Sequence, residues 1–221
     1  MAVLAGLTTA FVVVPRAAPA QVAPVPPPVA PPPVVLIADR ALDGRGNALR
    51  DLRIGVANGR ITSLAAPANV GASTIDLRGY TVLPGWIDTH VHLDSHFDRS
   101  GRIATDSEPV PEAALGIANA AWATLMGGFT TVQSVGDPTE RPLRDIVRDH
   151  GFPGPRVLTS LAWIAPDSAT SDDSLRALVR LRKAQGADLV KIFASKSQRV
   201  GAGPTITEHQ LRVLCDEAKA L

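Results

Sequence analysis

Two histidines one residue apart, His90 and His92, are the first candidates for chemistry in this sequence. They lie in segment 86–93, whose bulky and β-branched residues predict a strand after the turn signal Pro84-Gly85. Side chains alternate between the two faces of a strand, so both imidazoles should share one face, about 7 Å apart. So placed, they can reach one metal ion. The short spacing also allows two unrelated histidines, one of them a hydrogen-bonded core residue.

Lys191 is the third candidate, because it stands inside the apolar run 189–194. A lysine within an apolar strand of the parallel type is costly unless it is paired or chemically modified. Burial would favour its neutral, nucleophilic amine. The alternative is a lysine at the end of a strand, whose long side chain reaches solvent.

Alternating strands and helices must position these side chains. Strands are predicted at 86–93, 129–135, 156–163 and 188–194, and helices at 112–126, 143–151, 175–186 and 207–221. Four such units favour an α/β fold with a parallel sheet, whose expected closed form is an eight-stranded (β/α)8 TIM barrel. Residues 84–221 would supply about four units, roughly half of a barrel of about 250 residues.

Two of the helices carry more detailed predictions. The first should bury one stripe of apolar residues, consisting of Leu115, Ala118, Trp122 and Leu125. The last should begin with a capping box formed by Thr207 and Gln210.

Residues 34–83 read as a separate, smaller unit of short strands. The runs 51–57 and 60–64 flank Asn58-Gly59, which is a strong signal for a β-hairpin. Further short strands are predicted at 75–77 and 81–83. The pattern predicts a small antiparallel β-sheet ahead of the barrel units.

The N-terminal residues differ in composition from the rest of the chain. Residues 1–20 contain an apolar run followed by the small-residue site Ala18-Pro19-Ala20, as in a signal peptide, which predicts export to the periplasm or outside the cell. The run is too short for a stable membrane span. Residues 21–33 are rich in proline and predict an extended linker. A cytoplasmic protein with a disordered tail is the alternative.

Composition limits the classes of partner and site. The formal net charge is +1 without a long basic run, so nothing indicates nucleic acid as a partner. The single cysteine, Cys215, excludes an internal disulfide and a cysteine-based zinc cluster.

The sequence at 79–92, GYTVLPGWIDTHVH, closely resembles the start of the barrel in the amidohydrolase superfamily. The nearest members are imidazolonepropionase-like and Xaa-Pro-dipeptidase-like, and the resemblance runs from about residue 35 to 221. It implies that the small sheet is half of a β-sandwich. Segment 187–192 looks like the family's fourth-strand motif, whose lysine reacts with carbon dioxide to form a carbamate that bridges two divalent metals. His90, His92 and Lys191 are then the metal ligands, for one or two ions of Zn²⁺ or a similar metal.

The activity implied by the resemblance is hydrolysis of a carbon–nitrogen bond by metal-activated water, in a cyclic amide or a dipeptide-like amide. The family's further ligands and its proton shuttle lie on later strands, so no catalytic residue is assigned and this chain is expected to be an incomplete, inactive fragment. His96, Lys196 and Arg199 are candidates for the substrate pocket. The alternatives are an inactive truncated homologue that only binds metal or a partner, and a phosphotriester hydrolase.

Overall fold

A computed structural model describes residues 32–66, 72–98, 100–103 and 108–221. The predicted signal segment 1–20 and the linker up to residue 31 lie outside the described residues. The fold is mixed α/β, and its elements in the described chain are β1 Val34–Leu42, β2 Ala48–Ala57, β3 Arg60–Ser63, β4 Ser73–Asp76, β5 Thr81–Val82, β6 Trp86–Val91, α1 Val110–Met126, β7 Phe129–Ser134, α2 Glu140–His150, β8 Arg156–Thr159, β9 Trp163–Ile164, α3 Asp172–Ala184, β10 Lys191–Ile192 and α4 Glu208–Ala220. No helix in these ranges is both long and apolar enough to cross a bilayer.

The hairpin predicted around Asn58-Gly59 is confirmed. Strands β2 and β3 pair antiparallel, with Ala57 opposite Arg60. Asn58 and Gly59 have φ angles of 51° and 69°. A two-residue hairpin turn needs positive φ at both positions, and asparagine and glycine adopt it most readily.

The antiparallel sheet predicted for residues 34–83 is wrong in part, because the sheet is mixed. Strand β1 pairs antiparallel with β2, but both β4 and β5 pair with β1 in parallel. The strand order is β3-β2-β1-β4, with β5 also on β1. The prediction assumed that consecutive short strands pair as hairpins. Here the nine-residue β1 is long enough to accept both later strands along one edge, so the chain crosses over instead of folding back.

The second half of the chain has two parallel sheets. Strands β6, β7 and β8 pair in that order, and β9 pairs with β10. The predicted strand 156–163 is therefore two short strands, and the predicted strand 188–194 forms a ladder only at Lys191–Ile192. A backbone bond from the Asp188 N–H to the Thr159 carbonyl connects the two sheets.

Each sheet has its own apolar core. Helices α1 and α2 cover the first sheet through a cluster of Leu93, Ile117, Ala121, Val132, Leu143 and Val157. Helices α3 and α4 cover the second through Ile164, Leu175, Val179, Ile206, Val213 and Leu214. The capping box predicted for Thr207 and Gln210 is present at the start of α4.

The buried stripe predicted for α1 is wrong. Leu115 and Trp122 are exposed in the described chain, and the buried residues are Ile117 and Ala121. The helix is apolar on most sides, so periodicity alone does not select one face. The face with alanine at its centre is the one that packs, because a small side chain lets the helix approach the sheet closely.

Gly85, just before β6, marks a close approach between neighbouring strands. A Cβ atom at this position would lie 2.6 Å from the Thr130 Cβ, which is fixed to its own backbone. We expect Gly85→Ala to lower the free energy of unfolding by about 1 to 2 kcal/mol, because overpacking forces a backbone shift. Gly203→Ala is the control, since no atom lies within 4 Å of a Cβ there. Equal urea midpoints for both variants would contradict this prediction.

Candidate metal centre

His90 and Lys191 meet although 101 residues separate them. His90 lies near the end of β6, and Lys191 is the first residue of β10. The Lys191 Nζ is 3.2 Å from the His90 Nε2. The fold therefore brings the amine of the fourth predicted unit to an imidazole of the first.

His92 follows β6 and lies beside His90. The centroids of the two rings are 5.7 Å apart, and their planes are tilted by 46°. The His92 Nδ1 approaches the Asp94 Oδ1 at 3.7 Å, which is longer than a hydrogen bond. Asp94 Oδ1 is buried and has no hydrogen-bond partner among the described residues.

The backbone of the histidine strand is held by a local carboxylate. The Asp88 Oδ1 accepts the backbone N–H of His90 at 3.0 Å. The His90 N–H thus bonds to a side chain at the point where the β6–β7 register is irregular, between Asp88 and Val91. Asp88 thus acts on the backbone that carries His90.

An aromatic pair lies next to the Lys191 amine. The Lys191 Nζ is 5.1 Å from the centroid of the Phe193 ring, within the range of a cation–π contact. Phe193 in turn meets Trp163 edge to face, with centroids 5.9 Å apart. Both rings are partly exposed, so they leave apolar surface beside the amine.

The donor set fits a divalent metal ion. No group of three His, Cys, Asp or Glu side chains suited to a metal occurs in the described residues. Two imidazoles and one amine do come together, and imidazole nitrogen suits zinc and similar ions. Lys191 would complete the set, either as a neutral amine or after conversion into an oxygen ligand. The assignment of His90, His92 and Lys191 as ligands stays a prediction.

Of the three residues predicted to line the pocket, His96 and Lys196 lie in loops and Arg199 lies in the short 3-10 helix Gln198–Val200. The His96 Nε2 is 3.0 Å from the Glu108 Oε2, and the His96 ring packs on Gly116 of α1. Lys196 and Arg199 are exposed in the segment between β10 and α4. The His96 contacts fix the loop after β6 to α1. A substrate role for any of the three stays a prediction.

Sequence reasoning missed a buried carboxylate behind the histidines. Glu140, the first residue of α2, is completely buried. Its Oε2 accepts a hydrogen bond from the Thr159 hydroxyl at 2.8 Å, and its Oε1 accepts one from the Ser134 hydroxyl. A glutamate at the start of a helix is usually interpreted as a solvent-exposed residue that interacts favourably with the helix dipole. The available signal in the sequence was the polar Ser134 at the end of the predicted strand 129–135.

The environment of Glu140 favours its neutral form. Burial, together with the nearby Asp94 charge, raises the pKa of Glu140 to about 7 against the lowering effect of the two hydroxyls. The unfolded chain releases this proton near pH 4.5. The folded state therefore binds more protons between about pH 4.5 and 7, and stability must fall as the pH rises through that window.

Glu140→Gln should remove this dependence on pH. As the pH rises from 4.5 to about 8, we expect the unfolding free energy of the variant to gain roughly 2 to 3 kcal/mol relative to that of the native chain. The reason is that each tenfold change in proton affinity is worth about 1.4 kcal/mol. Urea unfolding of both proteins at the two pH values measures the difference. Parallel pH profiles of the two proteins would show that Glu140 does not titrate in this window.

The sequence is similar to those of two known enzymes. The chain is 34% identical over 114 residues to imidazolonepropionase of Mycolicibacterium smegmatis, a match covering 49% of this chain and 26% of the relative. It is 31% identical over 114 residues to dihydroorotase of Solibacter usitatus, covering 51% and 23%. The aligned regions therefore span about a quarter of these relatives.

Solved structures show the same fold over most of the chain. A Xaa-Pro dipeptidase with bound methionine matches with a TM-score of 0.70 at 24% identity, over 85% of this chain and 54% of the other. A prolidase in complex with N-methylphosphonate-L-proline gives 0.68 at 26% identity, over 85% and 54%. The fold is thus similar to that of amidohydrolase proteins. Because the profile of the amidohydrolase family also matches residues 81–221, the chain belongs to the amidohydrolase family.

Proposed function

We propose that this chain carries part of the active site of a metal-dependent hydrolase that cleaves a carbon–nitrogen bond in a cyclic amide or a dipeptide-like amide. In this proposal residues 84–221 form the first part of a (β/α)8 barrel, and His90, His92 and Lys191 hold the metal. Membership of the amidohydrolase family supports the reaction class. The two similar enzymes and the dipeptidase-like structures support the substrate class.

The approach of Lys191 to His90 is the observation that carries the proposal. The two nitrogens are 3.2 Å apart, although they come from different sheets. A lysine usually extends its ammonium into water, whereas this one is half-buried and directed toward an imidazole. Such convergence is expected for groups that share a metal ion.

Lys191 would serve best as an oxygen ligand. In the proposed modification the Nζ lone pair of the neutral amine forms a bond to the carbon of one CO₂ molecule, one C=O π bond breaks with its electron pair moving to oxygen, and the nitrogen releases one proton to solvent. The product is an anionic carbamate, which replaces a cation by two oxygen donors. Hard divalent ions and zinc accept such donors readily.

The remaining groups orient the ligands and the substrate. A divalent ion held here would lower the pKa of bound water and polarise the carbonyl of an amide. Asp88 holds the backbone of His90 by accepting its N–H. Phe193 and Trp163 offer apolar surface beside Lys191, which suits the non-polar part of a cyclic or dipeptide-like substrate.

Zinc binding and substrate choice test the proposal in the full-length gene product. We expect stoichiometric zinc, and a carbon-13 carbamate signal after exchange with labelled bicarbonate. A panel of lactams, dipeptides and phosphotriesters should then show zinc-dependent turnover of the amides. Preferential turnover of phosphotriesters would favour the other hydrolase class, and failure to bind zinc or to hydrolyse any amide would overturn the proposal.

A further inference from the structure

The buried Glu140 joins the ends of two neighbouring strands. One carboxylate oxygen accepts from Ser134 at the end of β7, and the other accepts from Thr159 at the end of β8. Both hydroxyls are completely buried, like the carboxylate. Burial of an ionised carboxylate is costly unless it is both hydrogen-bonded and paired with a positive charge, and no salt bridge to Glu140 occurs among the described residues, so its position here calls for an explanation beyond packing.

The Ser134 arm of this network leads to the turn that carries His92. The Ser134 Oγ accepts the backbone N–H of Leu93 at 3.1 Å, and Leu93 directly follows His92. A serine hydroxyl has one proton, and donation to Glu140 leaves its lone pairs for the Leu93 N–H. Without Glu140, the hydroxyl would turn to the Val91 carbonyl, which lies 3.4 Å away.

The Thr159 hydroxyl holds a different turn from the one that carries His92. The Thr159 Oγ1 accepts the backbone N–H of Leu161 at 3.0 Å, in the turn between β8 and β9. Leu161 is not adjacent to any of the three proposed ligands. The two hydroxyls are thus a matched pair that bond to one carboxylate but hold different turns.

Glu140 also lies near a second residue of the same turn, Asp94. Asp94, two residues after His92, has a buried Oδ1 that lies beside Gly136. A Cβ at Gly136 would also lie 2.6 Å from the Glu140 Oε1, so the two carboxyl groups converge on this glycine. Asp94 Oδ1 is in turn the carboxylate oxygen 3.7 Å from His92 Nδ1.

We propose that Glu140 is a positioning residue for His92, acting through the Ser134 hydroxyl on the backbone of Leu93 and through Asp94. This inference rests on the proposed function, because it concerns the placement of a metal ligand. Groups that orient metal ligands typically contribute about 10- to 100-fold in metal affinity. Glu140 would do so from a helix that contributes no ligand itself.

The matched hydroxyls provide the test in the full-length protein. We expect Ser134→Ala to weaken zinc binding about 10-fold or more in a chelator competition, whereas Thr159→Val should change it less than about threefold. Both variants should lower the urea midpoint of the metal-free protein, since each leaves buried groups unpaired. Glu140→Gln, which keeps an accepting oxygen, should retain more zinc affinity than Glu140→Ala. Similar zinc affinities for Ser134→Ala and Thr159→Val would overturn the proposal.

A metal-free measurement separates this inference from the proposed function. In protein labelled with nitrogen-15 at its five histidines, Ser134→Ala should shift the ring signals of His92. Thr159→Val should leave them in place, and His150 should not respond to either change. His92→Gln identifies the signal. Glu140→Ala should shift the same His92 signals as Ser134→Ala. If the native protein binds no zinc, the proposed function fails, and the ring signals of the Ser134 and Glu140 variants still decide whether these two residues position His92.

Discussion

Lys191→Met is expected to reduce kcat/KM for amide hydrolysis by the full-length protein on the order of 10³-fold. Methionine keeps the length and apolar stem of the side chain but cannot bind a metal as an amine or form a carbamate. A bound metal contributes several kcal/mol to such a reaction, and each 1.4 kcal/mol is about a factor of ten in rate. The measurements are kcat/KM and zinc content in matched preparations.

Lys219→Met provides the control for this loss. Lys219 is exposed in the last turn of α4, so the same exchange there should leave zinc content and turnover unchanged. The urea midpoint of the Lys191 variant should be no lower than that of the metal-free native protein. If Lys191→Met kept its zinc and its turnover within a few-fold, Lys191 would not be a ligand.

Arg144→Met should cause a large loss of stability. The Arg144 side chain is 9% exposed, and its Nη1 donates to the Gly186 carbonyl at 2.7 Å and to the Asp188 Oδ2 at 2.8 Å. The same Asp188 oxygen accepts the Thr159 N–H. Removal of one partner of a buried ion pair leaves the other charge uncompensated, and we expect a loss of roughly 3 to 4 kcal/mol, toward the low end of such cases because Asp188 is partly exposed.

Arg148→Met on the same helix is the matched control. Arg148 pairs with Asp149 at 2.7 Å, but its side chain is 59% exposed. Exposed pairs contribute about 0 to 1 kcal/mol, so this variant should unfold close to the native midpoint. Urea unfolding of the three proteins gives the comparison, and equal losses for both variants would show that the buried pair of Arg144 contributes no more stability than the exposed pair of Arg148.

Local signals in the sequence predicted local structure well. The hairpin at Asn58-Gly59 and the capping box at Thr207 are each specified by residues within one turn, so no distant contact can alter them. The end of α2 at Gly151 is likewise set by one residue with a left-handed conformation. These features depend on backbone conformations that few residue types adopt.

Features that depend on distant partners were predicted poorly. The parallel pairing of β4 with β1 is decided by which edge is open, and the sequence of β4 does not contain that information. The buried face of α1 is decided by its fit to the sheet rather than by hydrophobicity, so Trp122 is exposed and Ala121 is buried. Glu140 was missed for the same reason, because its partners Ser134 and Thr159 lie on other elements.

The division of the parallel strands into two hydrogen-bonded sheets limits which side chain can stand at position 191. His90 lies on one sheet and Lys191 on the other, and the contact between these two residues is made by their side chains. Four methylene groups carry the terminal nitrogen of lysine to the imidazole. Aspartate or glutamate starts from the same Cα but is too short to reach that point. An acidic group could therefore arise here only at the tip of a lysine, which gives the proposed reaction with CO₂ a geometric reason.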